Sequence, residues 1–109
     1  MGRDTLGAFE HQILSVLLRQ LRDAYGVMIA DRIAERTGRE VSIGALYTAL
    51  GRLERKGFVT SWWGEPTAER GGRRKRYYRI EAQGIAALNR AEAVLIRLAV
   101  GATPLPQGA

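Results

Sequence analysis

Residues 42–63, SIGALYTALGRLERKGFVTSWW, read as one helix, a glycine stop and a strand. Ser42 is a good N-cap, because its hydroxyl can accept an orphan N–H of the first turn. Gly57 is a natural C-terminal stop, so the helix is expected to run from the Ser42 cap to Lys56. Leu46, Leu50 and Leu53 recur at i, i+4 and i+7 and define its core face. The opposite face holds Gly44, Thr48, Gly51, Arg52 and Arg55, flanked by Ala45 and Tyr47. A helix that enters a major groove needs small residues near its N-terminus for close approach. It also needs hydroxyls and arginines for phosphates and base edges. Gly44, Ala45 and Thr48 meet the first need; Tyr47, Thr48 and Arg52 meet the second. Gly51 points the same way. A mid-helix glycine costs roughly 0.5 to 1 kcal/mol relative to alanine, and close contact with another surface would justify it. Blander readings stand beside these. Tyr47 can be a half-buried core tyrosine, Arg52 can lack a phosphate contact, and Arg55 and Lys56 can be solvated or paired with Glu54 of a neighbour rather than base-reading.

Beyond Gly57, Phe58 to Trp63 is aromatic, β-branched and alternating, as a strand should be. Gly64-Glu65-Pro66 opens a loop, and Lys75 to Ile80 reads as a return strand, giving a long hairpin. Residues 69–79, ERGGRRKRYYR, place six basic side chains in eleven positions. Gly71-Gly72 permits a tight turn with positive φ, so arginines can be presented at a tip along a phosphate backbone or in a minor groove. Alternation sends Tyr77 and Tyr78 to opposite faces, with one expected to pack on Phe58 or Trp62. It likewise sends one of Trp62 and Trp63 to the core and the other outward.

Upstream, a first helix is expected from about Leu6 to Arg22, striped by Phe9, Ile13, Val16 and Leu17 and widened by Leu14, Leu18 and Leu21. After a break at Asp23 to Gly26, a second helix runs from about Tyr25 to Arg36, with Ile29 and Ile33 inward and Thr37-Gly38 as its end. Downstream, a last helix spans about Ala82 to Val100. Its stripe of Ile85, Leu88, Leu95 and Leu98, widened by Val94, Ile96 and Val100, exceeds what a three-helix core can cover. A second copy of the chain would cover it, with Leu14, Leu18 and Leu21 of the first helix as the receiving side. The plainer reading folds this helix back on its own domain. The expected architecture is mainly α with a small β-hairpin: a winged helix-turn-helix over residues 1–81, a C-terminal dimerisation helix over 82–100 and a flexible tail over 101–109.

The charge distribution agrees with the hairpin reading. The chain of 109 residues carries a net charge of +6. Residues 1–51 balance six basic against six acidic groups, and residues 80–109 balance two against two. The excess lies in residues 52–79, with nine basic and three acidic groups, 9 − 3 = +6. Charge concentrated in this way suits a polyanion, and nucleic acid is the commonest. Other classes find little support. The chain has no cysteine and a single histidine, His11, so neither a thiolate zinc site nor a His cluster is expected, and no metal or cofactor. Asp23, Asp31 and Glu35 lack metal-ligand spacing, and the loop RGGRRK lacks the lysine-serine ending of a phosphate-binding loop. No catalytic residue is assigned and an enzyme is not expected. No apolar run approaches the ~20 residues needed to cross a bilayer, and MGRDTLGAFEH lacks a signal-peptide core. A cytoplasmic protein with no membrane partner is expected.

Four stretches resemble the PadR family of bacterial transcriptional regulators. They are LGAFEHQILSVLL (Leu6 to Leu18), AYGVMIADRI (Ala24 to Ile33), VSIGALYTALGRLERKGFV (Val41 to Val59) and GEPTAERGGRRKRYYRI (Gly64 to Ile80). In the family's order they cover most of residues 6–88, and the length resembles the short subfamily. The resemblance implies a winged-helix homodimer that represses its own or neighbouring genes, and a twofold dimer would match a pseudopalindromic duplex operator. The resemblance also implies release by a small-molecule or stress signal. The family's DNA-contacting positions fall on Ser42, Gly44, Ala45, Tyr47, Thr48 and Arg52, and those of the wing on Arg73, Arg74, Lys75 and Arg76. Glu81 stands where a threonine cap is usual, and residues 82–109 lack the tryptophan that some short members use against flat drugs. The reading from a different class is a winged-helix protein-interaction or RNA-binding module.

Overall fold

The computed structural model describes residues 6–20, 22–66 and 74–102. Helices α1 (Ala8–Arg19), α2 (Gly26–Thr37), α3 (Ile43–Arg55) and α4 (Ala82–Ala102) surround a small sheet of β1 (Ala24–Tyr25), β2 (Val59–Trp63) and β3 (Arg76–Ile80). The sheet is antiparallel in the order β1-β3-β2, with Val59 opposite Ile80 and Trp63 opposite Arg76. This is a winged helix-turn-helix with a C-terminal helix.

Local chemistry sets the ends of α3 where its sequence places them. Ser42 Oγ accepts the Ala45 N–H at 3.2 Å. At the other end Gly57 adopts φ 79°, which a side chain would strain. There the Gly57 N–H donates to Glu54 O and the Phe58 N–H to Leu53 O, closing the last carbonyls. The chain can therefore turn at once into β2. Leu46, Leu50 and Leu53 are fully buried against Ile13, Ile29 and Ile33, so α3 is seated by its expected face.

The strand β1 corrects the expected break and helix start at residues 23–26. Ala24 and Tyr25 pair with Tyr78 and Tyr77, which turns the hairpin into a three-stranded sheet. Two residues are too few to show alternation, so only the neighbouring strand creates them as a strand. The first helix stops at Arg19, short of the expected Arg22, because Gln20 is extended (ψ 119°). The last helix continues to Ala102. It thereby takes in the first two residues of the expected tail over 101–109; residues 103–109, the loop tip Glu69 to Arg73 and Leu21 lie outside the described residues.

Two residues assigned to a partner belong instead to the core of one chain. Leu14 is 0% and Leu88 1% exposed, both inside the main cluster. The apolar circumference of α1 exceeds half a turn, and its own domain takes the side that includes Leu14. The first turns of α4 then pack on the same core through Ala87 and Leu88. Its later turns do not. Val94, Leu95, Ile96, Leu98 and Val100 are all exposed, with Leu95 at 55% and Leu98 at 64%. Leu18 of α1 is exposed and Ile85 half-buried.

Candidate nucleic-acid interface

Ser42, Gly44, Ala45, Tyr47, Thr48 and Arg52 are all exposed and share the side of α3 that its leucines leave outward. The two glycines of that side have no internal reason to lack a side chain. A Cβ on Gly44 would meet only Ser42 Oγ at 3.9 Å, and one on Gly51 only Arg55 Nη1 at 3.5 Å. Their smallness is thus left for an outside surface. Tyr47 has a more constrained place. Its phenol fills the space that a Cβ on Gly26 would need, so the ring reaches from α3 to the start of α2. It is still 43% exposed. It is neither a core tyrosine nor a free one, and Gly26 is the residue that admits it.

The hairpin stem stands beside α3 through Arg76. Its Nη2 and Nε donate to Ser61 Oγ at 2.7 and 3.1 Å, and Nη2 lies 3.8 Å from Glu54 Oε2 of α3. The guanidinium also sits 5.1 Å from the Trp63 ring centre. In the free chain Arg76 is thus a strut between β3, β2 and α3, with its side chain still 36% exposed. Arg74 is exposed, and its Nε donates to Gly64 O at 2.9 Å, fixing the base of the loop. Lys75 takes the other face of the sheet, 4.3 Å over the Tyr25 ring. Arg73 lies outside the described residues.

The aromatic residues divide by face. Tyr78 is buried on the core side, and burial pushes its phenol pKa up despite the nearby Arg76 charge. Tyr77 takes the outer side, stacked on Trp62 at 5.8 Å and edge-on to Tyr25 at 6.0 Å. Neither tryptophan enters the core, contrary to the alternation argument. Trp63 is exposed and Trp62 half-buried against Tyr77. The strand is short, and Val59 alone fills its share of the interior.

Sequence reasoning missed Glu10. It is the one buried charged side chain among the described residues. Its Oε1 accepts the Gly7 N–H at 3.0 Å, capping α1, and lies 3.3 Å from Lys56 Nζ. Its Oε2 lies 3.4 Å from Arg52 Nε. Burial works to raise the carboxyl pKa, but the Gly7 N–H and the charges of Lys56 and Arg52 outweigh it and hold the group below the ordinary glutamate value. The only forward signal was an acid three residues after Gly7 within an apolar stripe. Its cationic partners sit 42 and 46 residues away.

On the far side of α1, a groove of about 630 Å³ runs between α1 and α4, lined by Leu6, His11, Ala87, Arg90, Val94 and Leu95. His11 Nε2 lies 3.7 Å from Glu92 Oε2 of α4. Among the described residues no three His, Cys, Asp or Glu side chains gather as metal ligands, and no helix is long and apolar enough to cross a membrane.

The family model described as Transcriptional regulator PadR-like family matches residues 13–90. No curated protein sequence matches the chain. Among solved structures, a transcriptional regulator from Clostridium thermocellum is 29% identical, over 88% of this chain and 92% of its own, with a TM-score of 0.68. A PadR family transcription regulator from hypervirulent Clostridium difficile R20291 is 28% identical, over 87% of this chain and 96% of its own, with a TM-score of 0.69. A complex structure of hsRosR-S1 is 26% identical, over 92% of this chain and 81% of its own, with a TM-score of 0.70.

Proposed function

The chain belongs to the PadR-like family of transcriptional regulators, and from that premise we propose that it represses transcription by binding a pseudopalindromic duplex operator as a homodimer. The observation that carries the reading is the outward face of α3. Small residues at Gly44, Ala45 and Gly51, the half-exposed ring of Tyr47, the hydroxyl of Thr48 and the cation of Arg52 lie together on it. The basic stem of the hairpin stands next to it through Arg76 and Glu54. A groove-reading helix and a phosphate-holding wing need this neighbourhood.

Dimerisation rests on the last turns of α4. An apolar helix surface exposed on all sides calls for burial, and Leu18, Ile85, Leu95 and Leu98 are the remaining candidates after Leu14 and Leu88 are assigned to the core. An ordinary specific interface takes about 800 Å² from each partner. The second copy would then set two recognition helices about 34 Å apart, or a multiple of it. Release by a small-molecule or stress signal comes with the family resemblance. The same reading assigns the protein no reaction and places its work in the cytoplasm, with the DNA.

The test is competition. Duplex DNA of a preferred sequence should displace labelled DNA at far lower concentration than duplex RNA of the same sequence, because the A-form major groove is too deep and narrow for α3. Equal competition by the RNA would favour an RNA-binding module instead.

A further inference from the structure

We propose that Glu10, a residue of the first helix, positions Arg52, the DNA-reading cation of α3. The proposal rests on the DNA-binding reading above and goes one layer deeper into it. Arg52 and Lys56 stand one turn apart on α3, where two like charges would repel. The carboxylate of Glu10 lies between them, 3.4 Å from Arg52 Nε and 3.3 Å from Lys56 Nζ. It is itself fixed by the Gly7 N–H at 3.0 Å and by burial, with only 5% of the residue exposed. An anchored anion therefore meets a long side chain that would otherwise sample many rotamers.

The geometry leaves Arg52 useful. Its side chain is 48% exposed, and it lies one turn beyond Thr48 on the outward stripe. The ion pair is made through Nε, so the guanidinium still has its two terminal Nη groups to offer another acceptor. Preorganised donors of this kind are how arginine discriminates among base edges. Glu10 touches no DNA in this scheme. It acts through Arg52, with Lys56 as the second cation that keeps the carboxylate ionised.

The experiment measures a ratio: affinity for a preferred duplex over affinity for a scrambled duplex of equal length, at one salt concentration. It is taken for the intact protein, Glu10→Gln, Arg52→Ala and the double variant. Glutamine keeps the shape and can still accept the Gly7 N–H, so the change removes charge. The added net positive charge strengthens binding to both duplexes and cancels in the ratio. Glu10→Gln is expected to lower the ratio about tenfold, within the range of one lost bidentate base contact. In the Arg52→Ala background it is expected to change the ratio no further. A ratio kept within about twofold by Glu10→Gln, or an equal loss with Arg52 already gone, would overturn the proposal. Arg52→Lys, at a half-exposed position, guards against a Glu10 variant that fails to fold. It keeps the charge but not the fork, and a wild-type ratio for it would also overturn the proposal. An intact protein with no preference between duplexes would remove the DNA-binding reading itself.

Discussion

Affinity for duplex DNA should fall by about 10³ to 10⁵ between 50 and 200 mM salt, the loss expected when six to ten phosphates are neutralised. The whole positive excess of the chain lies in residues 52–79, and a dimer would bring two such segments to one duplex. Part of that charge is already engaged. Arg52 and Lys56 face Glu10, Arg76 faces Glu54, and Arg79 faces Asp23 at 3.9 Å. Exposed pairs such as the last are worth little in water, so a phosphate can take the cation at small cost. The Glu10 pair is different, because its carboxylate is buried and would be left bare. The salt dependence should therefore be carried mainly by Arg74, Lys75 and the other hairpin cations. Titration by fluorescence anisotropy at several salt concentrations gives the slope directly. A change of less than about threefold over that interval would mean that phosphates contribute almost nothing.

Replacing Leu95 and Leu98 together by lysine should convert the protein to a monomer and cost operator affinity at least about 100-fold, since linking two half-site readers commonly gains 10² to 10⁴. Both leucines are more than half exposed in the single chain, so the substitution should leave the fold of that chain intact. Burying the exposed half to two-thirds of each leucine against a partner contributes about 1 to 2 kcal/mol, and a twofold contact counts every one of them twice. The choice of lysine matters. It adds positive charge, so any loss of DNA binding runs against the electrostatic trend and reports on assembly. Sedimentation equilibrium should show the monomer and thermal melting should show a folded domain. A variant that stays dimeric would place the interface away from the last turns of α4.

Much of this was legible in the chain because α3 is locally self-consistent. Its leucine spacing, its serine cap and its glycine stop all specify one helix in one orientation, and the exposed face follows. What was not legible depends on which surfaces meet. Ala24 and Tyr25 become a strand only because Tyr77 and Tyr78 offer an edge. Leu14 and Leu88 sit on apolar faces broad enough that a helical wheel does not tell the chain's own core from a partner. Arg76 looked like its basic neighbours in the run, yet strand alternation aims it at Ser61 and Glu54 and aims Lys75 at Tyr25. The roles of Glu10 and Gly26 were hidden for the same reason, since each is explained by side chains on or just after α3 that the sequence does not bring near. Local signals place elements and orient those with one narrow stripe; where the apolar surface is broad, the packed molecule assigns the face.

The most direct measurement is selection of bound duplexes from a random pool by the intact protein. Two recognition helices related by a twofold axis stand about 34 Å or a multiple apart, so the expected product is an inverted repeat with half-sites centred about 10 or 20 base pairs apart. Pools that converge on no shared sequence, with the protein folded and dimeric throughout, would contradict the claim that the outward face of α3 and the basic hairpin read one duplex together.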